Sequence, residues 1–135
     1  MKEENKILQE VTDEIESSLQ DQKGITAHQR RLAFTLSLGV VVLIENYLLK
    51  KEVLKPGRKI NHLWFKKKKE NVKKLISQII TCPIENLNKL NYILDIAYNI
   101  EQNRNELAYG KPVSENTLKE KINIFLELKK ELEND

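Results

Sequence analysis

Ile7, Leu8, Val11, Ile15 and Leu19 recur on one stripe at helical spacing, which predicts a first helix from about Glu3 to Gln20. Asp21-Gln22-Lys23-Gly24 ends it, with Gly24 expected at the C′ position. Thr26 is a candidate N-cap for a second helix running to about Lys51. That helix is apolar nearly all round from Leu32 to Leu49, the pattern of a central helix in a bundle. Lys55-Pro56-Gly57-Arg58 reads as a loop. A third helix is expected to hold Leu63, Trp64, Phe65, Val72, Leu75, Ile76 and Ile79. Thr81-Cys82-Pro83 reads as a restart, since proline suits a first helical position. The fourth helix carries Leu87, Leu90, Leu94 and Ala97, then Glu101, Arg104 and Ala108, on one stripe. Gly110-Lys111-Pro112 breaks it, and Ser114 is expected to cap a fifth helix over 115–133 with Leu118, Ile122, Phe125, Leu126 and Leu132 inward.

At 135 residues the chain is expected to form one domain, and five helices with short connections predict an all-α antiparallel bundle of four to five helices. Composition narrows this further. Only 4 Gly, 3 Pro and 6% aromatic residues stand beside 32% charged residues, which argues against a β-sandwich or barrel. A single cysteine, Cys82, excludes a disulfide framework and a cysteine zinc site. His28 and His62 lack ligand-spaced partners and read as surface residues, so neither metal nor cofactor is expected. The uncharged run from Leu32 to Ile44 is shorter than the roughly 20 residues of a membrane span, so no membrane association is expected. Met-Lys-Glu-Glu-Asn-Lys at the start gives no basic region before an apolar core, which points to a cytoplasmic protein.

Charge is unevenly distributed. The formal net charge is +3, yet residues 50–74 hold 11 basic and 2 acidic groups, net +9. Lys66, Lys67, Lys68, Lys69 and Lys73 are either a solvated face or a surface that attracts RNA phosphates. Asn61-His62-Leu63-Trp64-Phe65 beside those lysines mixes aromatics with cations, as single-stranded nucleic-acid sites do, although Trp64 and Phe65 also suit a core. Glu45-Asn46-Tyr47 on the apolar second helix is either a polar network fixing bundle register or part of a site.

The stretch richest in chemistry is Asn103-Arg104-Asn105-Glu106-Leu107-Ala108-Tyr109-Gly110. An arginine on an apolar stripe needs a partner, because an unpaired guanidinium is costly to desolvate. Near a helix end it can also bond the last carbonyls. Arg-Asn-x-Leu-Ala-x-Gly late in a helical domain, before a proline-containing turn and a last helix, resembles the HEPN superfamily. The resemblance implies an all-α, usually dimeric bundle whose motif is Arg, four to six residues, then His. Arg104 takes the arginine position and Asn105 the polar one, with Glu45 the candidate acid on the second helix; Tyr109 stands where the family has His. The implied function is an RNA- or nucleotide-associated protein of a toxin–antitoxin or defence type, with a homodimeric partner copy, RNA and a nucleotidyltransferase-type antitoxin as implied partners. The tyrosine that such an antitoxin modifies in some members maps to Lys111. Imidazole titrates near 6.5 and phenol near 10, so a tyrosine at the histidine position implies weak or lost ribonuclease activity. A helical interaction protein of immunity or adaptor type, with no enzymatic role, is the other reading of the same chain.

Overall fold

The computed structural model describes residues 2–134, with side chains from residue 5 onward. Six α-helices account for most of them: α1 (Lys2–Gln20), α2 (Gln29–Lys50), α3 (Lys69–Ser77), α4 (Leu90–Gln102), α5 (Arg104–Tyr109) and α6 (Glu115–Glu133). Among the described residues there is no strand beyond one isolated antiparallel bridge, Leu54 to Ile80. The expected all-α bundle is therefore the observed architecture.

α2 is the centre of the bundle and packs against α1, α4, α5 and α6. Its buried residues, among them Leu32, Leu36, Val40, Leu43, Ile44 and Leu48, cover most of the helix, and the face with Phe34, Leu38 and Val41 is left partly open. With its preceding turn it is long and apolar enough to cross a membrane by length and composition, and 61% of its most apolar window is buried inside the bundle. Gly39 is the point of closest approach. A Cβ there would lie 2.6 Å from the ring of Phe125 on α6 and 3.1 Å from Val11 on α1. Three helices meet where α2 has no side chain. The buried side chains form one contiguous cluster that includes residues of every α-helix.

Several boundaries differ from the sequence reading, each for a local reason. Thr26 does not cap α2; it lies inside a 3-10 turn, Ile25–His28, and α2 starts at Gln29. Gly24 has φ 91° and ψ 161°, outside the left-handed helical conformation of a C′ glycine, and precedes that turn. The expected third helix is two pieces, a 3-10 turn at His62–Lys66 and α3, because Lys67 and Lys68 are extended. Pro83 precedes a 3-10 turn at Ile84–Asn86 rather than opening α4, which begins at Leu90. The inward stripes are also trimmed. Leu19 is 51% exposed while Ser18 is buried, and Leu126 is 37% exposed while Leu128 takes its core place. Cys82 is half-buried against the core. Ser114 does cap α6, accepting the Thr117 backbone N–H at 3.2 Å.

His28 is buried, contrary to the surface reading. Its Nδ1 lies 2.8 Å from Glu14 Oε1 and its Nε2 2.7 Å from Asp21 Oδ2. Ionised carboxylates only accept, so a carboxylate at each nitrogen favours the protonated ring, while Arg31 Nη2, 3.0 Å from Nδ1, opposes it. The Glu14 hydrogen bond, and then that of Asp21, hold its pKa above the ordinary 6.5, against burial and the nearby Arg31. Asp21 is held below 3.8 by the Lys23 backbone N–H and then by His28. A histidine raised on folding stabilises fully below its unfolded pKa and loses that contribution as pH rises through the folded value. Thermal stability should thus decline above about pH 6.5, and His28→Gln should flatten the decline. A wild-type melting temperature constant from roughly pH 5.5 to 9 would rule out the charged ring.

Candidate functional site

The segment carrying Arg104 is set in place by the start of α2. Buried Gln29 donates from Nε2 to the carbonyls of Leu107 and Lys111, both at 3.1 Å, and accepts the Val113 backbone N–H at 2.9 Å. Arg30 Nη1 donates to the Ala108 carbonyl at 2.6 Å. These bonds satisfy carbonyls that the end of a helix leaves free. Gly110 is required by a close approach, since a Cβ would lie 2.5 Å from the Glu106 carbonyl oxygen. The glycine and the polar start of α2 together fix the turn between α5 and α6.

Asn103 interrupts the helix between α4 and α5 with φ −102° and ψ 10°. The interruption breaks the stripe expected to run from Ala97 through Arg104. Glu101 and Ala108 are buried, but Arg104 is only half-buried and lies on the surface of α2. Its guanidinium carbon sits 4.8 Å from the Phe34 ring centroid, its Nη1 donates to Asn105 Oδ1 at 3.4 Å, and its Nε has no partner among the described residues. Tyr109 is 72% exposed and meets the same Phe34 ring edge-on at 5.9 Å. Phe34 therefore joins the two ends of the motif.

Arg104 lines a groove of about 520 Å³ with Phe34, Ser37, Leu38 and Val41 of α2 and Lys59, Ile60, Asn61 and His62 of the following loop. Its walls are mainly apolar, and its charged or titratable lining groups are Lys59, His62 and Arg104. The loop is tied down in three ways. Glu45 Oε1 accepts the Ile60 backbone N–H at 2.9 Å. Asn61, as N-cap of the 3-10 turn, accepts the Leu63 backbone N–H at 2.9 Å. His62 Nδ1 is 2.7 Å from Glu101 Oε1. Glu101 is 2% exposed, and its second oxygen accepts the Ser37 hydroxyl at 2.6 Å. His62 is thus not the freely solvated residue its sequence context suggests.

No family model, curated protein or solved structure matches this chain.

Of the residues singled out in the sequence, Arg104 lines the groove, Asn105 bonds to it, and Tyr109 adjoins through Phe34. Glu45 does not itself line the groove; it accepts the backbone N–H of Ile60, which does. The lysines divide. Lys66 to Lys69 line a second groove of about 390 Å³ with Phe65, Leu94 and Tyr98, while Lys73 lines a different cleft with Ile84, Asn88 and Asn91. Lys69 is paired with Asp95 at 2.7 Å; Lys66, Lys67 and Lys68 are exposed. Phe65 is buried and Trp64 partly so, which settles both as packing residues. Tyr98, 44% exposed, is the aromatic that the lysine groove presents. The two grooves flank one 3-10 turn, with His62 at its start and Phe65 and Lys66 at its end.

Ser37, Gln29 and Tyr98 went unnoticed in the sequence, His62 was read as a surface residue, and Glu101 was noted only as a position on the fourth helix's stripe. Glu101 alone carried a signal there, as an acid on an apolar stripe whose burial demands a partner. Asn46 Oδ1 is buried without a partner among the described residues and Tyr47 is buried, so that part of the Glu45 triplet forms no closed network. Among the described residues no group of three His, Cys, Asp or Glu side chains is arranged to hold a metal.

Proposed function

We propose that this chain is a HEPN-like, RNA-associated protein of a toxin–antitoxin or defence type that acts as a homodimer and takes an RNA phosphate at Arg104. The observation that carries the reading is the place of Arg104. It lies in a concave, mainly apolar groove that also holds Lys59, stacked on an aromatic ring, with no carboxylate on the lining. A guanidinium so placed suits phosphate, because it presents several donors in a fixed planar fork. Helix order and the Gly110 turn before the last helix agree with the family resemblance. The exposed cations Lys66, Lys67 and Lys68, with Tyr98 beside them, extend the surface in the manner of a single-strand platform.

The test is affinity for a single-stranded oligoribonucleotide as a function of salt. Log affinity should fall linearly with log salt, with a slope of about −0.7 per phosphate neutralised. Replacing Lys66, Lys67 and Lys68 by glutamine should make the slope shallower by about 2. An unchanged slope assigns these lysines to solubility.

Assembly is tested separately. Phe34 and Leu38, 39% and 46% exposed on the α2 wall of the Arg104 groove, form an apolar patch of the kind that marks an interface, so a dimer through it sets the groove at its seam. A two-fold dimer predicts a sedimentation mass of about twice the 15.8 kDa chain. Leu38→Glu should return it to the monomer mass. The same patch favours a second reading, a helical interaction protein. Stoichiometric binding of another protein, with no RNA affinity, would select that reading.

A further inference from the structure

We infer that His62, oriented by Glu101, is the proton-transferring group of the Arg104 groove, and that the chain cleaves RNA through it with no imidazole at position 109. The inference rests on the RNA reading above. It adds a catalytic residue, His62, and two positioning residues, Glu101 and Ser37, all outside the Arg104–Gly110 segment.

The geometry carries it. Glu101 is a carboxylate 2% exposed, and both its oxygens are engaged, one by the Ser37 hydroxyl at 2.6 Å and one by His62 Nδ1 at 2.7 Å. An ionised carboxylate only accepts, so Nδ1 carries the hydrogen and Nε2 of a neutral ring is the basic nitrogen. Among the described residues Nε2 has no protein partner, and His62 lines the groove that Arg104 lines. The ring is held at Nδ1 and one-third exposed. A carboxylate that fixes the tautomer and orientation of a histidine, which lines one groove with Arg104 and Lys59, is an arrangement suited to moving protons.

The reaction follows from what these groups can do. Nε2 takes the proton of a ribose 2′-hydroxyl while Arg104 and Lys59 offset the phosphate charge. The 2′-oxygen forms a bond to phosphorus as the bond from phosphorus to the 5′-oxygen breaks. Water gives that 5′-oxygen its proton, and the imidazolium returns its own proton to the hydroxide left behind. The products are a 2′,3′-cyclic phosphate and a 5′-hydroxyl end. No oxidant or co-reactant is consumed.

The experiment uses the full chain and a labelled single-stranded oligoribonucleotide of mixed sequence, with its 2′-deoxy counterpart as control. The expected result is cleavage of the ribo strand with cyclic phosphate ends, and no cleavage of the deoxy strand. His62→Ala should lower the rate about 10²–10⁴-fold with RNA affinity changed little, and added imidazole should restore part of the rate. His62→Asn, whose amide can still donate to Glu101, serves if the alanine variant does not fold. Glu101→Gln should lower kcat and leave KM near the wild-type value, as expected of a residue that orients the base. RNA bound but uncut by the wild-type chain overturns the inference and leaves the binding reading standing. Cleavage by His62→Ala or His62→Asn at the wild-type rate, or no rescue by imidazole, also overturns it. Absence of any RNA binding overturns both.

Discussion

Phe125→Ala should lower the unfolding free energy by about 3–5 kcal/mol, the range for removing a buried aromatic ring. Phe125 is completely buried on α6, and its ring fills the space left by Gly39. Three helices share that contact, so collapse around the void is limited and the upper part of the range is expected. At roughly 4 °C per kcal/mol for a chain of this size the melting temperature should fall about 12–20 °C. Gly39→Ala provides the complementary test. Its new Cβ would sit 2.6 Å from the Phe125 ring, so overpacking should cost about 1–3 kcal/mol, partly offset by better helix propensity. In the Phe125→Ala background the clash is gone and Gly39→Ala should be neutral or stabilising. A double-mutant cycle by denaturant unfolding measures the difference, and additive single effects would mean that the two sites do not touch.

Arg104→Ala should weaken binding of single-stranded RNA about 10- to 150-fold, the equivalent of about 1.5–3 kcal/mol for a hydrogen bond to a charged group. The fold should survive. Arg104 is half-buried and its only side-chain hydrogen bond among the described residues is the long one to Asn105. Removing it also ends the contact with the Phe34 ring, which is worth roughly 0.5–1 kcal/mol at exposed sites. Arg104→Lys should recover only part of the affinity, since an ammonium lacks the planar fork and stacks less well. Fluorescence anisotropy at fixed salt with a melting curve for each variant separates binding from stability. Wild-type affinity in Arg104→Ala would remove this residue from the binding surface.

The helices were legible where one energetic term dominates. α1, α2 and α6 are long and strongly patterned, and tertiary contacts only trimmed their stripes at Leu19 and Leu126. The middle of the chain was not legible for the same reason in reverse. Between Lys51 and Leu90 short segments are held by single contacts at a distance in sequence, such as the Leu54–Ile80 bridge and the Glu45–Ile60 bond. The partners lie 26 and 15 residues apart, beyond the i, i+3 and i, i+4 spacings that periodicity reads. The candidate site divides in the same way. Arg104 and Asn105 lie in one motif and could be found locally. His62 and Glu101 are 39 residues apart and Ser37 and Glu101 are 64 apart, so their meeting depends on the packing of α2 against α4. The break at Asn103 was also hidden, because a stripe read on a continuous helix places Arg104 in the core.

The two walls of the Arg104 groove are built by different physics. One is the face of α2 with α5 against it, whose position is fixed by core packing. The other is the stretch from Lys59 to His62, whose position is fixed by a few polar bonds to Glu45 and Glu101. Changes at exposed Lys59 can therefore reshape what the groove accepts without passing through the core, and so without the stability cost that a core change carries. A lineage of such chains is free to drift in ligand preference on one wall while the other keeps the fold constant.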